Sequence, residues 1–161
     1  MSEHSKLVLI TGVGPGTGSA IVRHFASKGY RVAMMARNEA RLQQLVETIP
    51  GTASFPCDVS DLDQLRNQID LIERGYGYPD VLIHNAVGGA FGSFMEIDPM
   101  VLQQNFQVNT MALLHLARWV SPAMIERGMG AILATGNTSA YRGKAGFAGF
   151  APTKAAQRIL L

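Results

Sequence analysis

Eight consecutive residues near the start of the chain, Thr11-Gly12-Val13-Gly14-Pro15-Gly16-Thr17-Gly18, are the first candidates for chemistry. Glycine admits backbone angles that other residues resist and lets a chain approach a ligand closely. The string follows a short apolar run, Leu7 to Ile10, and precedes a helical pattern, so free N–H groups and the positive end of a helix dipole meet at one point. Such a point attracts phosphate, and a pyrophosphate in particular; the plainer reading is a tight turn. About 20 residues further on, dinucleotide-binding sheets carry an acidic side chain for the ribose 2′-hydroxyl, and there this chain has Ala36 followed by Arg37. A guanidinium offers charge and forked donors suited to a 2′-phosphate, so NADP(H) is expected over NAD(H). The plainer reading of Arg37 is a solvated strand end.

These residues need a scaffold, and the hydrophobic pattern supplies one. Leu7 to Ile10 is closed by glycines and reads as a strand buried on both faces of a parallel sheet. Ala20, Ile21, Phe25 and Ala26 then recur at helical spacing up to Lys28-Gly29. Arg31 to Ala36 is a second strand, and Asn38 can cap a helix carrying Leu42, Leu45, Val46 and Ile49 before Pro50-Gly51. Ala53 to Cys57 is a third strand; Ser60 with Asp63 resembles a capping box ahead of Leu62, Leu65, Ile69 and Ile72. Asp80 to His84 makes a fourth strand. Asp98-Pro99 opens a long helical segment to about Arg127, bent near Pro122 and ended by Gly128, and Ala131 to Thr135 is a fifth strand. Strand and helix alternate throughout. The expected fold class is therefore α/β, a Rossmann-type doubly wound parallel sheet of five strands with helices on both faces, in a single domain spanning residues 1–161.

The spacing of Gly12, Gly16 and Gly18 after Thr11 resembles the cofactor loop of the short-chain dehydrogenase/reductase family. Further landmarks come in register: Asp58-Val59 resembles the family's adenine-side Asp, His84-Asn85-Ala86-Val87 its Asn-Asn-Ala-Gly turn, and Asn109 its helical Asn. The resemblance implies a cofactor site made of Thr11, Gly12, Gly14, Gly16, Thr17, Gly18, Arg37, Asp58, Val59, Asn85, Ala86 and Lys154. It implies an oxidoreductase acting on a carbonyl or alcohol. It also implies that about a third of the family's length is missing at the end, where substrate is closed over. Either the chain is a fragment, or another chain covers the helix that ends on Ile159-Leu160-Leu161; pairing of the two last long helices in a homo-oligomer is the form expected.

Reduction of a carbonyl leaves negative charge on oxygen, so a proton donor and a hydrogen-bond partner are needed beside it. The family uses a Tyr four residues before a Lys, and a Ser some 12–13 residues earlier. Here Phe150 occupies the Tyr position, Lys154 the Lys position, and Asn137 or Thr138 the Ser position, with Ser139 adjacent. The expected catalytic set is Asn109, Asn137, Thr138 and Lys154, with a water fed by Lys154 and Asn109 as the proton source; a silent dinucleotide holder acting through a partner is the rival. Tyr141 lacks a lysine one helical turn on, since Lys144 is three residues away and Ala145 four.

The remaining composition narrows the class. A net charge of +2, from 14 basic and 12 acidic residues, makes no basic footprint for nucleic acid or membrane surface. No apolar run approaches ~18 residues, so no membrane span is expected. One cysteine, Cys57, fits a reducing compartment, and cytoplasmic is the expectation. No metal spacing occurs among the four histidines: His4 and His24 read as solvent-facing, His115 as packed or at the surface, and His84 as a bond to the fourth or fifth strand end. Met34, Met35 and the other methionines read as core filling.

Overall fold

The computed structural model describes residues 5–161; the solvent-facing reading of His4 lies outside them. Five parallel strands, β1 (Leu7–Thr11), β2 (Arg31–Ala36), β3 (Thr52–Pro56), β4 (Val81–His84) and β5 (Ala131–Ala134), form one sheet in the order β3-β2-β1-β4-β5. β1 lies at the centre, with Ile10 opposite Met34 on one side and Ile83 on the other. All five of its residues are buried.

Helices α1 (Thr17–Ser27), α2 (Glu39–Thr48), α3 (Leu62–Tyr76), α4 (Pro99–Phe106), α5 (Ala112–Arg127) and α6 (Ala151–Leu160) complete the fold. Side chains alternate across a strand, so the sheet feeds two cores. Val8 and Ile10 meet Val22 of α1 and Leu42 and Leu45 of α2 on one face. Leu7 and Leu9 meet Leu65 and Ile72 of α3 and Leu116 and Val120 of α5 on the other. The strand order reverses between β1 and its neighbours β2 and β4, and a crevice outside the carboxyl ends of the strands is the consequence at such a switch point.

Several local expectations need correction. α3 is capped by Asp61, whose Oδ1 accepts from the Asp63 and Gln64 amides at 3.0 Å, because the Ser60 hydroxyl is committed to Asp58 Oδ1 at 2.6 Å. β3 starts and stops one residue earlier than its composition implies, and β5 stops at Ala134. In α1, Gly18, Ser19 and Val22 are the buried residues, and Ala20 is exposed. The long segment is not one helix: a π turn at Gln107–Met111 interrupts it, and α5, which contains Pro122, follows. Met34 and Met35 are core residues as expected, but Met95, Met100 and Met129 are exposed.

Candidate functional site

The carboxyl ends of the strands surround a groove of about 1320 Å³. Its floor is the glycine loop. Gly12 has φ +69°, a conformation that L side chains rarely adopt, and a Cβ there would fall on the Ala86 backbone and lie 2.6 Å from the Asn85 carbonyl carbon. Its amide donates to Met35 O at 2.8 Å and its carbonyl accepts from Asn85 Nδ2 at 2.8 Å, which ties the loop to β2 and to the turn after β4. A Cβ on Gly18 would meet Gly12 O at 2.6 Å, so α1 packs directly on the loop backbone. Gly14 and Gly16 differ: nothing lies within 4 Å of where their Cβ would stand. Two glycines thus serve packing, and two leave open space.

The start of α1 is the open end of this loop. α2, α3 and α4 are capped by Asn38, Asp61 and Asp98, but Gly16 has no side chain to cap α1, and no side-chain bond replaces it. The Gly16, Thr17 and Gly18 amides donate to no backbone carbonyl among the described residues. A helix start left this way carries partial positive charge and unpaired donors.

At one end of the groove lie Ala36, Arg37, Asn38, Arg41, Cys57, Asp58 and Val59. The sequence reading named Arg37 and missed Arg41, although the two stand four residues apart across the start of α2. Asn38 Oδ1 accepts from the Arg41 amide at 2.9 Å and so fixes the turn that presents both guanidiniums to the groove. Among the described residues neither pairs with a carboxylate. Asp58 Oδ1 is held by the Ser60 amide and hydroxyl, and Gln104 Nε2 donates to that hydroxyl at 2.6 Å. Burial, then the charges of Asp58 and Asp61, push the Cys57 thiol up to about 12, so it stays protonated and unreactive.

At the other end lie Asn85, Ala86, Gly88, Gly89, Thr135, Gly136, Asn137, Phe150 and Lys154. Lys154 is buried, and its Nζ donates to the Thr135 carbonyl at 3.0 Å and to Gln157 Oε1 at 2.7 Å. Burial alone brings its ammonium down to about 8. The Phe150 ring packs against Gly89, where a Cβ would lie 2.8 Å from its edge, and 5.9 Å from the Phe91 ring. Asn137 Oδ1 accepts from the Ser139 amide at 2.9 Å.

Four residues expected in the site do not line the groove. Thr138 is exposed in the 3-10 turn Thr138–Ala140 and Gly16 lies outside the wall, so Asn137, not Thr138, is the residue the fold brings to Phe150 and Lys154. Thr11 and Asn109 are fully buried behind the wall. Asn109 Oδ1 accepts from Gly88 N at 2.9 Å, and its Nδ2 donates to Gly88 O and Thr153 Oγ1 at 2.7 and 2.8 Å. Its polar atoms are spent on shaping the loop after β4 and anchoring α6. Tyr141 is exposed beneath the Arg158 guanidinium, 4.3 Å from its ring centroid, and does not line the groove either.

His84 belongs to the same supporting layer. Its ring reaches neither strand end that the sequence implied: Nε2 lies 3.0 Å from the Val108 carbonyl in the π turn, and Nδ1 lies 2.9 Å from Thr11 Oγ1 on β1. A carbonyl only accepts, so Nε2 carries the hydrogen and the Thr11 hydroxyl donates to Nδ1. The Ala86 amide completes the chain by donating to Thr11 Oγ1 at 3.4 Å. Burial lowers the imidazole to about 4, with the Lys154 charge adding in the same direction against the Val108 bond. A base whose folded value lies below its ordinary 6.5 stabilises the fold fully above pH 6.5, and that stability is lost as pH falls from 6.5 towards 4. The loss expected is about 3 kcal/mol. Urea unfolding at pH 7.5 and pH 4.5 measures it, and His84→Gln should flatten the dependence.

Residues 6–161 match the family model described as short chain dehydrogenase, and the chain belongs to that family. It is 29% identical over 149 residues to an L-xylulose reductase of Bos taurus, covering 92% of this chain and 59% of the relative. It is 28% identical over 161 residues to a D-erythrulose reductase of Gallus gallus, covering 99% and 64%. Among solved structures, a short-chain dehydrogenase from Streptomyces avermitilis superposes with a TM-score of 0.93 at 31% identity, covering 99% of this chain and 59% of that one. An L-sorbose reductase from Gluconobacter frateurii, solved with NADPH and L-sorbose, superposes at 0.89 with 28% identity, covering 97% and 61%. The chain thus spans about three fifths of the length of these relatives. Among the described residues no helix is long and apolar enough to cross a membrane, and no cluster of three potential metal ligands occurs.

Proposed function

We propose that the groove binds NADP(H), and that this chain is the dinucleotide-binding portion of an oxidoreductase acting on a small carbonyl or alcohol. The observation that carries the reading is the uncapped start of α1 facing Gly14, whose missing side chain answers to no neighbour in the protein. Loop amides and helix dipole suit the diphosphate, Arg37 and Arg41 the 2′-phosphate, and Asp58 and Val59 the adenine side. L-Sorbose reductase, a structural relative, was solved with NADPH, which agrees with this choice over NAD(H). When bound, the nicotinamide supplies or takes a hydride.

The chain's own residues then orient and exclude. Asn85 and Asn109 hold the turns that bound the groove, Asn137 offers an amide hydrogen bond to a substrate oxygen, and Lys154 offers the groove its one Nζ–H that no protein acceptor takes among the described residues. Phe150 offers only a ring, which favours a second reading: a dinucleotide holder that turns over slowly or not at all and acts through a partner. Exposed Ile159 and Leu160 at the end of α6, with Leu161 next to them, support pairing of α5 and α6 between copies. The single buried thiol suits a reducing compartment such as the cytoplasm.

Fluorescence and thermal-shift titrations with NADPH and NADH test the binding, because a ligand held only by the folded state raises Tm. Saturable NADPH binding, with NADH at least tenfold weaker, is expected. Arg37→Ala and Arg41→Ala should each weaken NADPH roughly 10-fold or more, the worth of a charge-assisted bond, and leave NADH unchanged. Gly14→Ala should keep Tm and weaken both, since its methyl enters the open space and no protein atom. NADPH consumption with a panel of aldehydes and ketones separates the enzyme from the silent holder.

A further inference from the structure

We propose that Lys154 is itself the proton donor of this groove, with Gln157 as the residue that positions it; the proposal rests on the dinucleotide reading above. Lys154 Nζ has three protons. Thr135 O and Gln157 Oε1 take two, and the third has no protein acceptor among the described residues, while the side chain lines the groove beside Asn137 and Phe150. The phenyl ring next to it, 6.0 Å from Nζ to centroid, favours a cation but accepts no proton.

Gln157 carries the argument further. It is buried, and its Nε2 has no hydrogen-bond partner among the described residues, so this amide strands a donor. An aliphatic side chain would pack in α6 without that cost. The bond to Nζ is what the amide adds. Turning it over would set donor against donor, so its orientation is fixed by the lysine.

The charged and titratable surroundings are sparse. β4 contributes His84, which burial brings down to about 4 and so keeps neutral near pH 7. On α6 itself Arg158 stacks on Tyr141, and Lys144 of the preceding loop lies over the Phe147 ring. The π turn and α4 contribute the amides Asn109 and Asn105, not charges. No carboxylate pairs with Lys154 among the described residues. Desolvation therefore acts unopposed, and an amine brought to about 8 is a usable acid near neutrality where an ordinary lysine is not. In reduction the carbonyl carbon receives hydride, the π pair moves to oxygen, and oxygen takes the Nζ proton. The neutral amine regains its proton from solvent, so NADPH, H⁺ and carbonyl give NADP⁺ and alcohol.

The test compares wild type with Gln157→Glu, Gln157→Leu and Lys154→Met. Lysine-labelled NMR of the unliganded protein follows the Lys154 titration, NADPH titration follows binding, and NADPH oxidation with the best carbonyl of the panel gives the pH profile. The proton is lost as pH rises, so kcat/KM falls on an alkaline limb. Gln157→Glu should raise the NMR midpoint by about one unit or more, Gln157→Leu should lower it, and the limb should move with it in both. Lys154→Met should still bind NADPH while losing turnover at least 100-fold. A limb that stays fixed while the NMR midpoint moves overturns the proposal. So does a Lys154→Met protein that keeps its rate, or a wild type that binds NADPH and reduces nothing. A wild type that binds no NADPH overturns the dinucleotide reading itself, and the proposal with it.

Discussion

Phe150→Tyr combined with Asn137→Ser is expected to raise carbonyl reduction on the order of 10²-fold over the parent chain, the low end of the range a placed proton donor contributes, because a phenol beside Lys154 joins the ammonium as a second, better placed donor. The new phenol would stand on the ring that already packs between Gly89 and Phe91, so its position is set by existing contacts. Lys154 Nζ, 6.0 Å from that ring centroid, stays close enough to favour the phenolate. The serine replaces an amide whose Oδ1 is already used by the Ser139 amide. Neither change creates a cavity. The measurement is kcat at saturating NADPH on the same carbonyl panel. A variant that binds NADPH and stays silent would show that the cover over the substrate, and not a better placed acid, is what the site lacks.

Gly12→Ala is expected to cost about 3 kcal/mol or more, and dinucleotide binding with it. Placing a non-glycine residue at φ +69° costs on the order of 1–3 kcal/mol by itself. The added methyl also collides with the Ala86 backbone, which cannot step aside: Asn85 Nδ2 is bonded to Gly12 O, and the Ala86 amide to Thr11 Oγ1. Denaturant unfolding measures the loss. Gly16→Ala is the control, since its Cβ would meet nothing within 4 Å and its φ is not positive. Equal stability of the two variants would mean that the loop is not pinned against β4 as described.

The scaffold was readable because it is written in local pattern. β1 and β4 are apolar runs buried between helices, β2 matches its run residue for residue, and Asn38 and Asp98 cap the helices they precede. Boundaries slipped where neighbouring polar residues compete: Ser60 and Asp61 are both able caps, and only the Asp58 carboxylate decides between them. The site was readable as a set of positions rather than as roles. Asn109 looked like chemistry and proves to be carpentry, because its partners Gly88 and Thr153 are 21 and 44 residues away. The same distance hid the bond between His84 and Thr11, 73 residues apart. Arg41 could have been found, four residues after Arg37 across a helix cap. Gln157 could not, since a glutamine in a helix reads as a surface residue until its burial is seen.

The proposed function stands on the uncapped start of α1 and its glycine loop gripping a dinucleotide diphosphate. A crystal of this chain grown with NADP⁺ tests it most directly. Diphosphate oxygens are expected within hydrogen-bond distance of the Thr17 and Gly18 amides, and the 2′-phosphate against Arg37 and Arg41. A loop with no ligand on it at saturating NADP⁺, or a dinucleotide lodged elsewhere, would contradict it.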